Sequence, residues 1–328
     1  MDQQAYPAQD KVAPNVVKPQ VIAVVGPTAA GKTPIAEELA VRLGGEIVAA
    51  DSMQIYRGMD VGTAKPPAGE RRAPYHCLDL VEPGEPFSAA LYQVEARRAI
   101  DDITSRGLVP IVCGGTGLYV RAALDRMEFP AGDQQGNVAR ERYEDYAREH
   151  GAVALHALLA SRDPDSAAAV HANNTRRVVR ALEMLDQGVS YARQKEGFSA
   201  REEFIPTHYL GVTMDRPALY RRIDLRVDAM IEQGLLGEVE ALLSRGLRDA
   251  VTAQQAIGYK ELVAVVEEGA SLVEAVASIK QATRRYAKRQ LTWFRGDPRV
   301  EWIDVADLSL IEAADAALET LDWHNDAR

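Results

Sequence analysis

The chain has 328 residues, 47% of them hydrophobic and 26% charged, which is ordinary globular composition with room for a main domain plus an insertion. A formal net charge of −10 argues against a protein that coats nucleic acid indiscriminately, but it allows a local basic face. No apolar run approaches a membrane span, and the two cysteines, Cys77 and Cys113, cannot build a zinc site alone, so they read as small buried hydrophobes without a disulfide.

Residues 1–19 mix charge, proline and polar groups without the apolar stretch of a secretory signal, and read as a mobile arm on a cytoplasmic protein. The apolar run 21–25 predicts a strand covered on both faces. It leads into "GPTAAGKT", the nucleotide-binding pattern G-x-x-x-x-G-K-[ST] formed by Gly26, Pro27, Thr28, Ala29, Ala30, Gly31, Lys32 and Thr33. Backbone N–H groups of such a loop surround phosphate oxygens, Lys32 adds a full charge, and the Thr33 hydroxyl is placed to bind Mg²⁺. A helix over 33–43 follows, with Pro34 in its first turn. Residues 46–51 predict a second strand ending in Asp51, 87–107 a helix, and 108–113 a strand running into "CGGTG". Strands alternating with helices predict an α/β fold, a P-loop-type parallel sheet.

Near 128 the pattern changes. Residues 129–137 are loop by composition, 138–186 are helical in period, and 187–205 are loop-like, which predicts a helical insertion over 128–205. Residues 207–214 return to the sheet, 216–296 are mostly helix, and 299–305 supply a last strand. The core is thus expected to comprise 20–127 and 206–305 with its C-terminal helices, followed by a tail at 306–328.

A hydrolase usually carries a Mg²⁺-binding carboxylate on a later strand, but "CGGTG" has none, and the nearest acids are Asp51 and Asp79. Transfer of a group that carries a pyrophosphate therefore competes with hydrolysis. Asp51 stands beyond a strand's carboxyl end, where ligands bind in open α/β sheets. It can serve there as a general base, cap a local turn, or sit in the outer shell of a metal. Residues 280–295 hold six basic side chains and no acid. Val276, Ile279, Thr283, Tyr286, Gln290 and Trp293 form one helical stripe, with Arg284, Arg285, Lys288, Arg289 and Arg295 turned elsewhere. A solvated face normally mixes signs, so contact with RNA phosphate is the favoured reading. In "HANNTRRVVRALEM", Arg176, Arg177 and Arg180 share one helical side, and His171 reads as structural.

The stretches "GPTAAGKT", "ADSMQIYRGMDVGTAKP", "CGGTGLYV", "NNTRRVVRALE", "QQAIGYKEL" and "TRRYAKRQLTWFR" occur in this order. Together, over about 20–300, they resemble the tRNA dimethylallyltransferase family. The resemblance implies transfer of a dimethylallyl group from dimethylallyl diphosphate to N6 of adenine 37, next to the anticodon, with Mg²⁺ as cofactor and release of diphosphate. It implies that the cradle holds that diphosphate, which accounts for the absent carboxylate. Asp51 then looks like the base acting on N6, Asp51, Ser52, Met53 and Gln54 touch the extruded adenine, and Thr116 lies near the reacting centre. Arg222 or Arg226 steadies the diphosphate. Thr175, Arg176, Arg177 and Arg180, with Arg284, Arg285, Lys288 and Arg289, are expected to meet the anticodon stem-loop, and the protein is expected to be a monomer. Pro34 and Tyr75 depart from the family's usual residues, and the C-terminal Cys/His finger of some longer relatives is missing. The alternatives are a small-molecule or nucleoside kinase of the P-loop class and a non-enzymatic RNA-binding ATPase module.

Overall fold

The computed structural model describes residues 20–129 and 137–321. The expected arm at 1–19, most of the loop at 129–137 and the end of the tail lie outside the described residues. Six strands form one sheet: β1 (Val21–Val25), β2 (Gly45–Ala49), β3 (Tyr75–His76), β4 (Val109–Gly114), β5 (Thr207–Thr213) and β6 (Val300–Asp304), in the order β3-β2-β4-β1-β5-β6. Every pair is parallel, so the strand ends that carry the phosphate loop and Asp51 lie along one edge of the sheet. Parallel strands need crossovers, and α1 (Lys32–Leu43), α2 (Ala89–Ser105) and α3 (Gly117–Leu124) provide the first of them. Only β3, two residues long, escaped the sequence reading, since it is too short to carry a period.

Both faces of the sheet are covered. In β1, Val21, Ala23 and Val25 pack into one core, while Ile22 and Val24 pack into the other. The first core holds Tyr92 of α2 stacked on Tyr119 of α3 at 4.0 Å, and the Tyr92 hydroxyl donates to Ala49 O at 3.0 Å. That bond ties two helices to the end of β2, just before Asp51.

The insertion has its own core. α4 (Val138–Arg162) bends at Gly151, and with α5 (Pro164–Ala169) and α6 (Thr175–Asp186) it buries Tyr143, Leu155, Leu159, Val178 and Leu182. The expected loop at 187–205 contains a further helix, α7 (Tyr191–Ser199). No residue of α7 is buried, so it carries no apolar period to read.

After β5 come α8 (Arg216–Glu232), α9 (Leu235–Leu243), α10 (Tyr259–Glu268) and the 24-residue α11 (Leu272–Arg295). The stretch from 306 is not a tail where it is described: α12 (Leu310–Glu319) packs Ala313 and Ala317 into the second core, with Asp315 2.5 Å from Arg42 of α1. Its buried stripe is alanine, which gives a weak apolar signal. Among the described residues no helix is long and apolar enough to cross a membrane.

Candidate active site

The cradle begins where β1 ends. Gly26 has φ 143°, and a Cβ there would lie 2.3 Å from Val212 O, so only glycine lets the chain pass β5 and turn. The loop leads through Gly31 into the N-terminus of α1, with Pro34 in the first turn as expected. Lys32 folds back over the loop, and its Nζ donates to Pro27 O at 2.7 Å. Burial pulls the Lys32 ammonium down to about 8, with Arg226 adding to the effect and Asp51 opposing it. The Thr33 hydroxyl bonds the Cys113 thiol, which burial pushes up to about 12. Both cysteines are free and buried, as expected.

Asp51 sits two residues beyond β2. Its Oδ1 accepts from Met53 N at 2.9 Å, so it does cap a local turn. Ser52 N in turn donates to Thr116 Oγ1 at 3.1 Å, joining this turn to the one after β4. Asp51 also lines a cavity of about 270 Å³ with Thr28, Ser52, Met53, Arg226 and Tyr286, while Val227, Met230, Leu235 and Ile279 make an apolar wall. Burial and the Asp51 charge push the Tyr286 hydroxyl up to about 12, against its bonds to Thr116 and Gln290.

A second cavity of about 700 Å³ opens on the other side of the cradle, lined by Gly31, Lys32, Thr33, Arg222 and Arg226. Arg226 is common to both, and its Nη2 donates to Thr63 O at 3.3 Å. Burial depresses its guanidinium and Asp51 opposes that shift. Arg222, one helical turn earlier, is exposed, with Nη2 3.6 Å from where a Gly31 Cβ would stand. Both arginines therefore reach the cradle, and Arg226 forms the partition between its two sides.

Three residues the sequence reading missed hold this arrangement. Gln290, 5% exposed, accepts from Thr28 N at 2.8 Å and donates to Gly115 O at 3.0 Å, clamping α11 to the cradle and to the turn after β4. Glu238 of α9 accepts from the N–H groups of Asp60, Val61 and Gly62 at 2.7–3.2 Å and from Tyr259 Oη at 2.6 Å. The buried Lys65 ammonium lies 2.6 Å from Asp60 and 2.5 Å from Asp79. Asp79 is thereby committed to Lys65, which answers its candidacy as a metal ligand. The loops that Gln290 and Glu238 hold are far from them in sequence, and no local motif announces any of the three.

The remaining candidates scatter. Gln54 does not line the cavity with its neighbours; its Nε2 donates to Thr63 O at 3.1 Å and steadies the loop. Arg284 pairs with Asp224 of α8 at 2.5 Å, whereas Arg285, Lys288 and Arg289 are exposed and Arg289 reaches the cavity. Thr175, Arg176 and Arg177 start α6 in the insertion, with both arginines exposed. Arg180 instead bonds the fully buried Glu183 at 2.7 Å. His171 Nδ1 accepts from Asn173 N in a local turn, as its structural reading expects.

Family models, sequence relatives and solved structures agree. The IPP transferase family model matches residues 54–297, and the isopentenyl transferase model matches 19–73. The chain is 49% identical to a tRNA dimethylallyltransferase of Geobacillus thermodenitrificans over 88% of its own length and 91% of that protein. It is 48% identical to one of Kocuria rhizophila, over 90% and 93%. The full-length tRNA isopentenylpyrophosphate transferase of Bacillus halodurans superposes with a TM-score of 0.66 at 42% identity, covering 93% of this chain and 97% of that one. A eukaryotic dimethylallyltransferase solved acting on tRNA gives 0.76 at 28% identity, covering 91% and 77%. These likenesses do not favour the kinase alternative. Matched over nearly all of its described length at such identities, the chain belongs to the IPP transferase family, among the tRNA dimethylallyltransferases.

Proposed function

We propose that this protein transfers the dimethylallyl group of dimethylallyl diphosphate to N6 of adenine 37 in the anticodon loop of tRNA. The observation that carries the reading is a pair of adjoining cavities that share Arg226. Gly31, Lys32 and Thr33 of the phosphate cradle line one, Asp51 and the apolar wall line the other, and Arg226 stands between them.

The diphosphate enters the cradle, where the free N–H groups of the loop, Lys32, Arg226 and Arg222 take up its charge. The dimethylallyl tail lies against the apolar wall. Adenine 37 is drawn out of the loop toward Asp51, Ser52 and Met53, since a stacked base is unreachable. The N6 lone pair attacks C1 of the dimethylallyl group, the C1–O bond breaks, and its electron pair leaves with the diphosphate. The Asp51 carboxylate accepts the N6 proton as the new C–N bond forms. Thr116, through its bond to Ser52, sets the turn on which Asp51 stands.

Mg²⁺ fits this donor set. The Thr33 hydroxyl offers a hard oxygen, and no group of three or more His, Cys, Asp or Glu side chains that could hold a metal is found among the described residues. Thr33 would hold such an ion together with the oxygens of the donor's own diphosphate, the way Mg²⁺ commonly binds. When bound, it would neutralise the leaving group.

Exposed Arg285, Lys288 and Arg289, with Arg176 and Arg177 of the insertion, are assigned to RNA phosphates. The test is direct: protein, Mg²⁺, dimethylallyl diphosphate and bulk tRNA are mixed, and the nucleosides are analysed by mass spectrometry. Dimethylallyl adenosine at position 37 is expected. Its absence, or γ-phosphate transfer from ATP without RNA, overturns the reading.

A further inference from the structure

The outer face of α11 changes character as it nears the site. Arg285, Lys288, Arg289, Thr292 and Arg295 are exposed over its last three turns, with no acid among them. Trp293 stands among them without lining the cavity itself. Its position is one turn beyond Arg289 and two beyond Tyr286, both of which line the cavity.

A lone exposed hydrophobe needs no explanation in general. Trp293 differs in its seat. The indole is 45% exposed yet packed against Gly117: a Cβ on that glycine would stand 2.0 Å from Nε1 and 2.2 Å from Cδ1. Alanine is normally better than glycine within a helix, so the first turn of α3 forgoes helix propensity where the ring lies against it. Gly117 directly follows Thr116, which holds the Asp51 turn through Ser52. A large flat ring is thus fixed beside the target-base site, at the edge of a row of cations.

We propose that Trp293 is a stacking platform for the RNA base adjacent to the target adenine; this inference rests on the tRNA-modifying function proposed above. Flipping one base out of a loop leaves its neighbour without a stacking partner, and an aromatic plane replaces the lost surface. The flanking cations take the phosphates on either side. The chemistry favours a nucleobase over an apolar protein segment, because the exposed face of α11 beside the ring carries Arg285, Lys288, Arg289 and Arg295, and Leu118 at the start of α3 adds only a single exposed apolar side chain.

Binding of anticodon stem-loop RNA decides the matter, measured for wild type, Trp293→Ala, Trp293→Phe and Gly117→Ala. Each is tested with intact RNA and with RNAs abasic on the 5′ or the 3′ side of the target adenine. Trp293→Ala should weaken intact RNA about 5- to 150-fold, the equivalent of roughly 1–3 kcal/mol for one stacked base. Trp293→Phe should keep most of the affinity, and Gly117→Ala, which displaces the ring, should lose part of it. The salt dependence should not change, because every cation that faces phosphate is still in place. One of the two abasic RNAs should bind wild type as weakly as Trp293→Ala binds intact RNA, with no further loss when variant and abasic RNA are combined. Equal losses on all RNAs, or no loss, overturn the platform. If Trp293→Ala does not fold, wild type with the two abasic RNAs decides alone, and full affinity for both overturns it. A wild type that prenylates tRNA while Trp293→Ala binds normally sinks only this inference; a wild type that prenylates nothing sinks the function itself.

Discussion

α11 and α6 carry the same sequence signal, a helix with several arginines on one side, yet their structures use it differently. α11 is two-faced: Gln290 and Tyr286 reach inward to the cradle and the Asp51 turn, while Arg285, Lys288 and Arg289 stay exposed outside. α6 sits in the insertion and touches no part of the cradle. One of its three arginines, Arg180, is committed to buried Glu183, which leaves Arg176 and Arg177 at the exposed first turn. Arginines at a helix N-terminus oppose the macrodipole, so α6 accepts a small local penalty where a phosphate would relieve it. The elements around α11 thus carry the chemistry together with part of the RNA contact, whereas the insertion carries grip alone, and variants on the two sides should separate these properties.

The largest effect is expected at Asp51. Asp51→Asn keeps an oxygen to accept from Met53 N, so the turn survives while the base is lost. The transfer rate should fall on the order of 10²–10⁴-fold, with tRNA affinity within a few-fold of wild type. Single-turnover kinetics at saturating tRNA measure it, and a rate close to wild type removes Asp51 from the mechanism.

Gln290 comes next, acting through position and not by touching the reacting atoms. Gln290→Leu leaves Thr28 N–H and Gly115 C=O without their partner, and a polar group stranded in this way costs roughly 1–3 kcal/mol. With the cradle loosened, transfer should slow about 10- to 100-fold if most of that cost falls on the transition state. The donor KM should rise and tRNA affinity should hold. A lowered thermal midpoint with unchanged kinetics would make Gln290 merely structural. Gln290→Glu can still accept from Thr28 N but cannot donate to Gly115 O, so it should not rescue the rate.

Lys32 gives the comparison a pH signature. In the empty cradle its ammonium lies at about 8, and a bound diphosphate raises it. Protonated Lys32 is the binding form, so donor affinity should be flat below about pH 8. Above it, affinity should fall by at most about ten-fold per pH unit until the bound-state value is passed. Calorimetry in buffers of different ionisation enthalpy should detect proton uptake near pH 8. The effect belongs to the donor side, so Lys32→Ala should abolish it and the α6 variants should not. A pH-independent affinity through pH 9 would show that Lys32 is not close to the diphosphate.

The parallel sheet and the cradle were legible because each is local: a buried strand, a glycine turn and a helix start follow one another within 13 residues, 21–33. Asp51 was legible for the same reason, standing just past a strand end. What the sequence did not disclose is long-range. Gln290 binds Thr28 across 262 positions, and Glu238 holds loop N–H groups some 177 positions away. Arg284 looked like a free cation because its partner, Asp224, lies on another helix. Gln54 stands in the stretch that the family resemblance assigns to the base, while its side chain turns to the loop carbonyls. Helices α7 and α12 give no readable period in the sequence, because one buries nothing and the other buries only alanine along its stripe.

The smallest expected effect on chemistry, and the sharpest test of the comparison, divides α6 itself. Arg176→Ala/Arg177→Ala removes two exposed cations from a helix start, so stability should hold or rise by a few tenths of a kcal/mol. tRNA binding should weaken, and the log–log salt slope should flatten by about 0.7 for each single-strand phosphate that an arginine no longer neutralises. Arg180→Ala should do the reverse. It withdraws one of the partners of buried Glu183, leaving Arg140 and Asn137 to hold the carboxylate. A loss of about 1–3 kcal/mol follows from weakening a buried charged bond, seen as a lower unfolding midpoint, while the salt slope stays put. The donor pocket lies outside the insertion, so dimethylallyl diphosphate affinity should be unchanged in both variants. If Arg180→Ala flattens the slope as the double variant does, Arg180 reaches RNA despite its ion pair. If neither changes it, the insertion grips nothing through α6, and the arginines of its first turn are a solvated face.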